Sequence, residues 1–438
     1  MEKGGEAEEV SHAAPAAEGK LQLSVDDVID RYVGSLGLSQ LLHVLLVSFA
    51  WVFDSQNTLV TIFTDAQPST WRCKSLDHHH TNASMSSSWC INNASDGSKG
   101  QPSHVCGLAA GTWEWVGGNT TSTIAEWNLI CHHKFLAAIP ASLFFIGTIF
   151  GCAFFGRLAD TWLESPRWLL VRGRNNEALD VLRKLARGKK LPDNIELIVP
   201  SSPTISIGVE GDENESIWTT KWAAKRMVTV MASALGVGFA YYGIQLNAQN
   251  LNFNFYVTVI INALMDIPAV LIGGVLLGFT NRRLLLLLST VSGGVSCLLC
   301  IVFSTTSKGK AKVDDGSKST SSWPQLTIEA IGFMSSSIAF NVLYVYCVEL
   351  FPTNVRNLAV SLLQQSLMLG ASLSPLLVVV GRLSPSLSFA VFGALSIVSG
   401  ALSTWLPETR NAPLYETLKQ QEEEEKLRRL PPDSSHTV

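Results

Sequence analysis

An aspartate inside an apolar stretch is the first place to look for chemistry. Asp266 stands in Asn262-Ala263-Leu264-Met265-Asp266-Ile267-Pro268, within a run from Asn254 to Phe279 that holds no other charged side chain. Insertion scales put a carboxylate at the centre of a bilayer at about 2.5–3.5 kcal/mol, so Asp266 is expected to face a wet cavity or a partner. An anion lining a cavity suits a cationic solute or a proton; the alternative is a packing or loop-side acid near Pro268. Asp54, beside Gln56 and Asn57 in the run Leu41–Thr64, is a second candidate of the same kind.

Tyr241, Tyr242, Gln245 and Asn247 add a polar and aromatic cluster near the end of another apolar run. Ring faces attract quaternary ammonium groups, although tyrosines near a helix end also serve as interfacial anchors. Gln364 and Gln365 are amides in a further apolar run, fitted either to a solute or to bonds between helices. Gly236 and Gly238 resemble a phosphate loop only superficially, since no strand precedes them and no Gly-Lys-Ser/Thr follows. No arrangement of Ser, His, Asp or Cys supports catalysis, no cofactor is implied, and no metal-ligand spacing is convincing.

These residues need membrane helices to hold them. Of 438 residues 47% are hydrophobic and only 16% charged, and the charges gather in a few segments. Between them lie runs of about 20 residues, the length of a helix that crosses ~30 Å of hydrocarbon. Eight such runs fall at Leu41–Thr64, Phe135–Phe155, Met227–Asn247, Asn254–Phe279, Leu284–Ser304, Leu326–Leu350, Leu358–Val380 and Leu387–Leu406. The expected fold is an all-α polytopic bundle in a lipid bilayer, and a net charge of −4 without a basic stripe gives no sign of a nucleic-acid partner. Residues 1–40 show no signal peptide.

Loop charge sets the orientation. Residues 157–226 carry twelve Lys and Arg, whereas residues 66–134 carry Arg72, Lys74, Lys99 and Lys134, so the first segment is expected in the cytosol and the second outside or in a lumen. With eight spans both termini are then cytosolic. The 66–134 loop supports this with three glycosylation acceptors, Asn82, Asn93 and Asn119. It also holds Cys73, Cys90, Cys106 and Cys131, expected as two disulfides of open connectivity. Residues 172–190 read as an amphipathic cytosolic helix, and the acidic run Glu422–Glu425 as a solvated or disordered tail.

Several short signatures occur together: Gly156-Arg157-Leu158-Ala159-Asp160, Glu164-Ser165-Pro166-Arg167-Trp168, Glu349-Leu350-Phe351-Pro352-Thr353-Asn354-Val355-Arg356 and Leu406-Pro407-Glu408-Thr409-Arg410. With Trp51-Val52-Phe53-Asp54, Thr123-Ile124-Ala125-Glu126-Trp127 and the long first loop, the chain resembles the organic cation/carnitine transporters of the major facilitator superfamily, most closely the plant branch. Members of that family have twelve spans. Here the third to sixth are expected between Asp160 and Glu164, where only three residues stand. Loss of an even number leaves every later segment in its usual orientation.

The resemblance implies a carrier of small organic solutes, organic cations or carnitine, working by alternating access and coupled to H+ or Na+. Asp54, Tyr241, Tyr242, Gln245, Asp266, Gln364 and Gln365 become substrate-binding candidates. Arg157 and Asp160, and in the second half Arg282, Arg283, Glu349 and Arg356, become the charged turns that latch neighbouring helices. Met368 stands where cation-selective animal relatives carry an acid, which weakens a simple cation preference. The expected divisions are a tail at 1–40, two spans with their loop at 41–160, a cytosolic linker at 161–226, a six-span half at 227–406 and a tail at 407–438. The plasma membrane is expected over the vacuolar one. The alternative is a shortened form that does not transport and binds a full-length relative or is degraded; a homo- or hetero-oligomer would complete the missing wall.

Overall fold

The computed structural model describes residues 21–23, 25–33, 38–68, 71–73, 105–106, 113–162, 166–171, 173–185, 195–197, 216–251, 253–311, 323–382 and 384–429. Ten helices carry the fold: α1 (Leu38–Thr64), α2 (Ile139–Trp162), α3 (Asn175–Leu185), α4 (Lys221–Leu246), α5 (Phe255–Phe279), α6 (Arg282–Ala311), α7 (Trp323–Leu350), α8 (Arg356–Gly381), α9 (Pro385–Ser403) and α10 (Leu418–Arg429). Two small sheets accompany them. Strand β1 (Leu21–Leu23) pairs in parallel with β4 (Ile195–Leu197), and β2 (Trp71–Cys73) pairs antiparallel with β3 (Trp113–Trp115). The membrane-spanning part is all-α, as expected.

Seven helical segments among the described residues are long and apolar enough to cross a membrane: Cys131–Gly156, Lys221–Asn250, Phe255–Phe279, Arg282–Phe303, Trp323–Leu350, Arg356–Gly381 and Ser386–Ser403. They match seven of the eight expected runs. The eighth, Leu41–Thr64, does form a helix, and 27 residues at 1.5 Å each give α1 a length of about 40 Å. His43 and the sequence Asp54-Ser55-Gln56-Asn57 dilute its apolar character, and it is not among the seven.

The chain forms two compact units, residues 1–48 with 163–213 and residues 49–162 with 214–438. In the smaller unit Leu23, Val25 and Val28 share a core with Leu169, Leu170, Ala178, Leu182, Ile195 and Leu197. The amphipathic helix expected at 172–190 is α3, which turns Ala178 and Leu182 inward and keeps Arg183 near Asp180 on its surface.

In the larger unit α4 to α9 form the main bundle, with α4 packed on α8 and α9, α6 on α7 and α9, and α5 on α7. α2 lies along α8, where the Ser142 hydroxyl donates to the Ser372 carbonyl at 2.9 Å. Small residues set the closest crossing. A Cβ on Gly238 would collide with the backbone at Leu367 of α8, and one on Gly370 with the backbone at Leu235 of α4. Gly238 therefore belongs to a backbone-to-backbone contact between helices. On α5 the residues Tyr256, Ile260, Leu264, Ile267, Leu271 and Val275 are each more than half exposed and trace one stripe, the face suited to lipid.

The 66–134 loop contains a packed patch in which Val105, Trp115, Ile124 and Ile130 are buried. Arg72 and Glu114 pair across β2 and β3. Cys106 and Cys131 form a disulfide, one of the two expected. The Cys73 side chain and Cys90 lie outside the described residues, as do Asn82 and Asn93; Asn119 is exposed in a short 3-10 turn.

Candidate functional site

Asp266 and Tyr241 meet between α5 and α4. The Tyr241 hydroxyl donates to Asp266 Oδ2 at 3.4 Å, and Ser337 of α7 lies within side-chain reach of the same carboxylate. Asp266 Oδ1 is a buried oxygen with no partner. α5 turns Asp266 away from its exposed apolar stripe and into the bundle, which meets the requirement that an acid in a membrane helix find polar company.

Aromatic rings surround this pair. Tyr241 stacks on Phe333 with centroids 5.3 Å apart and lies 4.9 Å from Phe340. Tyr242 packs 4.9 Å from Phe145 of α2 and 6.2 Å from Phe340, which in turn contacts Tyr344 at 5.3 Å. A carboxylate backed by several ring faces can neutralise and cradle an organic cation. Asp54 of α1 is exposed, yet lies within electrostatic range of Tyr242, Tyr344 and Cys152. Two of the expected substrate residues, Tyr241 and Asp266, are thus joined directly, with Tyr242 in the ring cluster and Asp54 at its margin.

The remaining candidates lie on α4 and α8. Gln245 is half-buried one turn beyond Tyr241. Gln364 and Gln365 are half-buried on α8, where Gln364 Oε1 has no hydrogen-bond partner. Met368 is buried one turn further along the same helix. Sequence alone does not mark out Phe145, Phe333, Phe340 and Tyr344, because in an apolar run an aromatic residue looks like any other packing residue.

At the end of the bundle expected in the cytosol, Arg282 grips Glu349 with Nε–Oε2 and Nη2–Oε1 distances of 3.0 Å each. The Thr409 hydroxyl donates to Glu349 Oε2 at 2.7 Å. Glu408 accepts the backbone N–H groups of Arg282 and Arg283 at the start of α6, where the helix dipole favours an anion. The Glu349 latch thus closes on Arg282, with Glu408 and Thr409 as further members. Arg356 takes a different place: its Nε donates to the carbonyls of Val348 and Phe351 near the C-terminus of α7. Arg157 and Asp160 lie on α2, and their side chains lie outside the described residues.

The acidic tail run is not left in solvent. Arg226 of α4 binds Glu425 of α10 through two bonds of 2.8 and 2.5 Å, and Trp222 Nε1 donates to Glu422 at 3.2 Å. Gln421 donates to the Leu350 carbonyl at 3.2 Å, so α10 docks beside the latch.

The opposite end carries a strap that sequence reasoning missed. Arg382, just past α8, donates to the backbone carbonyl of Asp65 at 3.3 Å and to Gln249 at 3.2 Å. Asp65, just past α1, accepts from Thr123 at 2.8 Å. Burial raises the Asp65 carboxyl above its ordinary range, against the opposing pull of Thr123, Thr64 and Arg382. A small cavity bounded by Thr61, Asp65, Ala141, Gln249, Val378 and Arg382 lies here. A charged residue at each edge of an apolar run was the available signal.

Comparison with known proteins follows the same direction. A family model described as sugar (and other) transporter matches residues 161–419. Organic cation/carnitine transporter 2 of Arabidopsis thaliana is 30% identical over 526 residues, covering 91% of this chain and 94% of the relative. Organic cation/carnitine transporter 3 of the same plant is 27% identical, covering 91% and 93%. Organic cation/carnitine transporter 2 of Homo sapiens is 29% identical over 260 residues, 59% of this chain and 44% of the relative.

Proposed function

The chain belongs to the sugar (and other) transporter family of the major facilitator superfamily and, within it, to the organic cation/carnitine transporters; from that premise we propose that its solute is an organic cation or carnitine, bound at Asp266. It is a multi-pass membrane transporter and not an enzyme. The observation that carries the substrate reading is the Tyr241–Asp266 contact inside a ring cluster. The carboxylate supplies the countercharge and the rings the quadrupole, a combination that suits a quaternary ammonium better than an anion or a sugar.

Alternating access would place this site between two rocking halves. The Arg282–Glu349 latch would hold the cytosolic end in one state, and the Asp65–Arg382–Gln249 strap the other end. Coupling to H+ or Na+ and residence in the plasma membrane belong to the same reading.

A second reading, a form that does not transport alone, is favoured by two observations. In the larger unit Phe49 to Asn57 of α1 are exposed throughout, as a helix lacking neighbours would be. The alignment with the Arabidopsis relative runs over 526 residues against 438 in this chain, so the relative holds residues that this chain lacks.

Uptake of radiolabelled tetraethylammonium and carnitine separates the two. Cells expressing this chain are compared with cells expressing a version that has four spans restored between Asp160 and Glu164, at matched surface amounts. Uptake by both supports transport by the short chain. Uptake by the restored version alone supports the second reading, and uptake by neither overturns the substrate assignment.

A further inference from the structure

One buried acid has no part in the site above. Glu329 of α7 is 2% exposed and lies about 9 Å along the helix from Trp323. Asn262 of α5, 1% exposed, donates its Nδ2 to Glu329 Oε1 at 2.9 Å. Glu329 Oε2, Asn262 Oδ1 and, one turn back on α7, Gln325 Oε1 are all buried oxygens without a hydrogen-bond partner.

No described cation faces this group. The titratable neighbours are Cys297 and Cys300 on α6, both within electrostatic range of Glu329, and on α4 the Tyr241 hydroxyl, which is engaged with Asp266. Asp266 is the one charged side chain of α5, and the described basic residues of α4, α6 and α8 stand at the helix ends. An ionised carboxylate sealed in the bundle with one neutral amide donor would carry most of its desolvation cost unrelieved, and such a group takes up a proton instead. Hard cations such as Mg2+ gather about six oxygen ligands, and three side-chain oxygens fall short of that, so a proton fits better than a metal cation.

The position gives the proton a use. On α5 Asn262 precedes Asp266 by four residues, and on α7 Glu329 precedes Phe333 by four, with Ser337 four further on; Phe333 stacks on Tyr241. The Glu329–Asn262 layer is therefore about 6 Å, one helical turn, from Asp266 along α5, and along α7 about 6 Å from Phe333 and about 12 Å from Ser337.

We propose that Glu329 is a proton-binding site, closed by Asn262 between α5 and α7, whose occupancy is coupled to that of the Asp266 site. The proton enters from and returns to water when α5 and α7 separate. The coupling half of this proposal rests on Asp266 being the solute site; the proton half does not.

Infrared spectroscopy of the chain in liposomes tests it by the C=O stretch of a protonated carboxyl. The wild type is expected to show this band at neutral pH, Glu329→Gln to lose it and Asp266→Asn to keep it. Raising the pH removes the band, and tetraethylammonium changes the pH at which it disappears. Asn262→Ala keeps the carboxyl, reports on the same band should Glu329→Gln fold poorly, and shifts that pH by about one unit, the value of one hydrogen bond.

A band that survives Glu329→Gln overturns the assignment. So does a band that neither pH nor tetraethylammonium moves, which marks a permanent structural acid, or one displaced by Na+ at constant pH, which marks a cation site. Where the chain moves tetraethylammonium, an inward gradient of one pH unit supports about tenfold accumulation at one proton per solute. Glu329→Gln is expected to abolish that accumulation and keep exchange of solute across the membrane. A chain whose band responds to tetraethylammonium but which moves none would keep the proton site and overturn the transport reading. A chain that transports with a pH profile indifferent to Glu329→Gln would do the reverse.

Discussion

Arg226 and Glu425, far apart in sequence, form a two-pronged ion pair that fixes α10 against the start of α4. The guanidinium also stacks 4.5 Å from the Trp222 ring, whose N–H reaches Glu422. Both partners are mostly shielded, at 11% and 26% exposure, which puts the pair above an ordinary surface bridge.

Glu425→Ala should therefore release α10, at a cost of about 1.5–3 kcal/mol for bonds to a charged group. Hydrogen exchange of the amides at 418–429 is expected to quicken in Glu425→Ala and Arg226→Ala alike, and to recover when the two charges are swapped. Unchanged protection in both variants would show that Gln421 and the Leu350 carbonyl hold the helix by themselves.

The α4–α8 crossing is expected to reject any side chain at its centre. Gly238→Val or Gly370→Val should lower the melting temperature in detergent, with overpacking worth about 1–3 kcal/mol. Gly274→Ala is the control, because a Cβ there meets nothing within 4 Å. Equal melting of all three would remove the glycine contact as a determinant of packing.

Tyr241 gives the substrate site a graded test. Tyr241→Phe keeps the ring and loses the bond to Asp266, whereas Tyr241→Ala loses both. In whichever form takes up tetraethylammonium, the alanine variant should bind it more weakly than the phenylalanine variant, by about 1–2 kcal/mol or roughly 5–30-fold. Asp266→Asn should lose affinity for tetraethylammonium more than for zwitterionic carnitine. Alanine and phenylalanine variants of equal affinity would exclude the ring.

The strap at the Arg382 end carries a pH dependence of definite sign. A carboxyl raised by burial stabilises its packed arrangement fully below the ordinary carboxylate range, and that contribution is lost as pH rises through the raised value. Acid should therefore tighten the Asp65 strap. With its rate at each pH divided by that of a free thiol to remove the change in thiolate fraction, a thiol introduced by Thr61→Cys at the cavity wall should react more slowly at about pH 4 than at neutral pH, and adding Asp65→Asn should abolish that residual difference. A faster corrected rate in acid would reverse the assignment.

What the residues reveal before folding is uneven. Asp266, Tyr241 and Glu349 stand out because each is costly or conspicuous where it lies. That Tyr241 would meet Asp266 is not legible, since the meeting is set by how α4 and α5 pack. Glu329 is legible in principle as a charge inside the run Leu326–Leu350, but lies only three residues from the start of that run, where an acid passes for a loop residue. The docking of Glu425 escapes for another reason: a run of acids shows no preference among its members until Arg226 selects one. Arg356 shares a motif with Glu349, yet motif membership does not say whether it meets that carboxylate or a helix end.

The uncovered surface of α1 has a consequence for the life of the protein in a cell. Within the larger unit the described residues from Phe49 to Asn57 are exposed, and Asp54, Gln56 and Asn57 lie among them. A polar triplet on an unshielded membrane helix is adhesive, because every lipid contact is worse for it than contact with another polar helix. Newly made copies should therefore be sorted early by which neighbour they find. Co-expression of a full-length relative is then expected to lengthen the lifetime of the chain in a pulse-chase experiment.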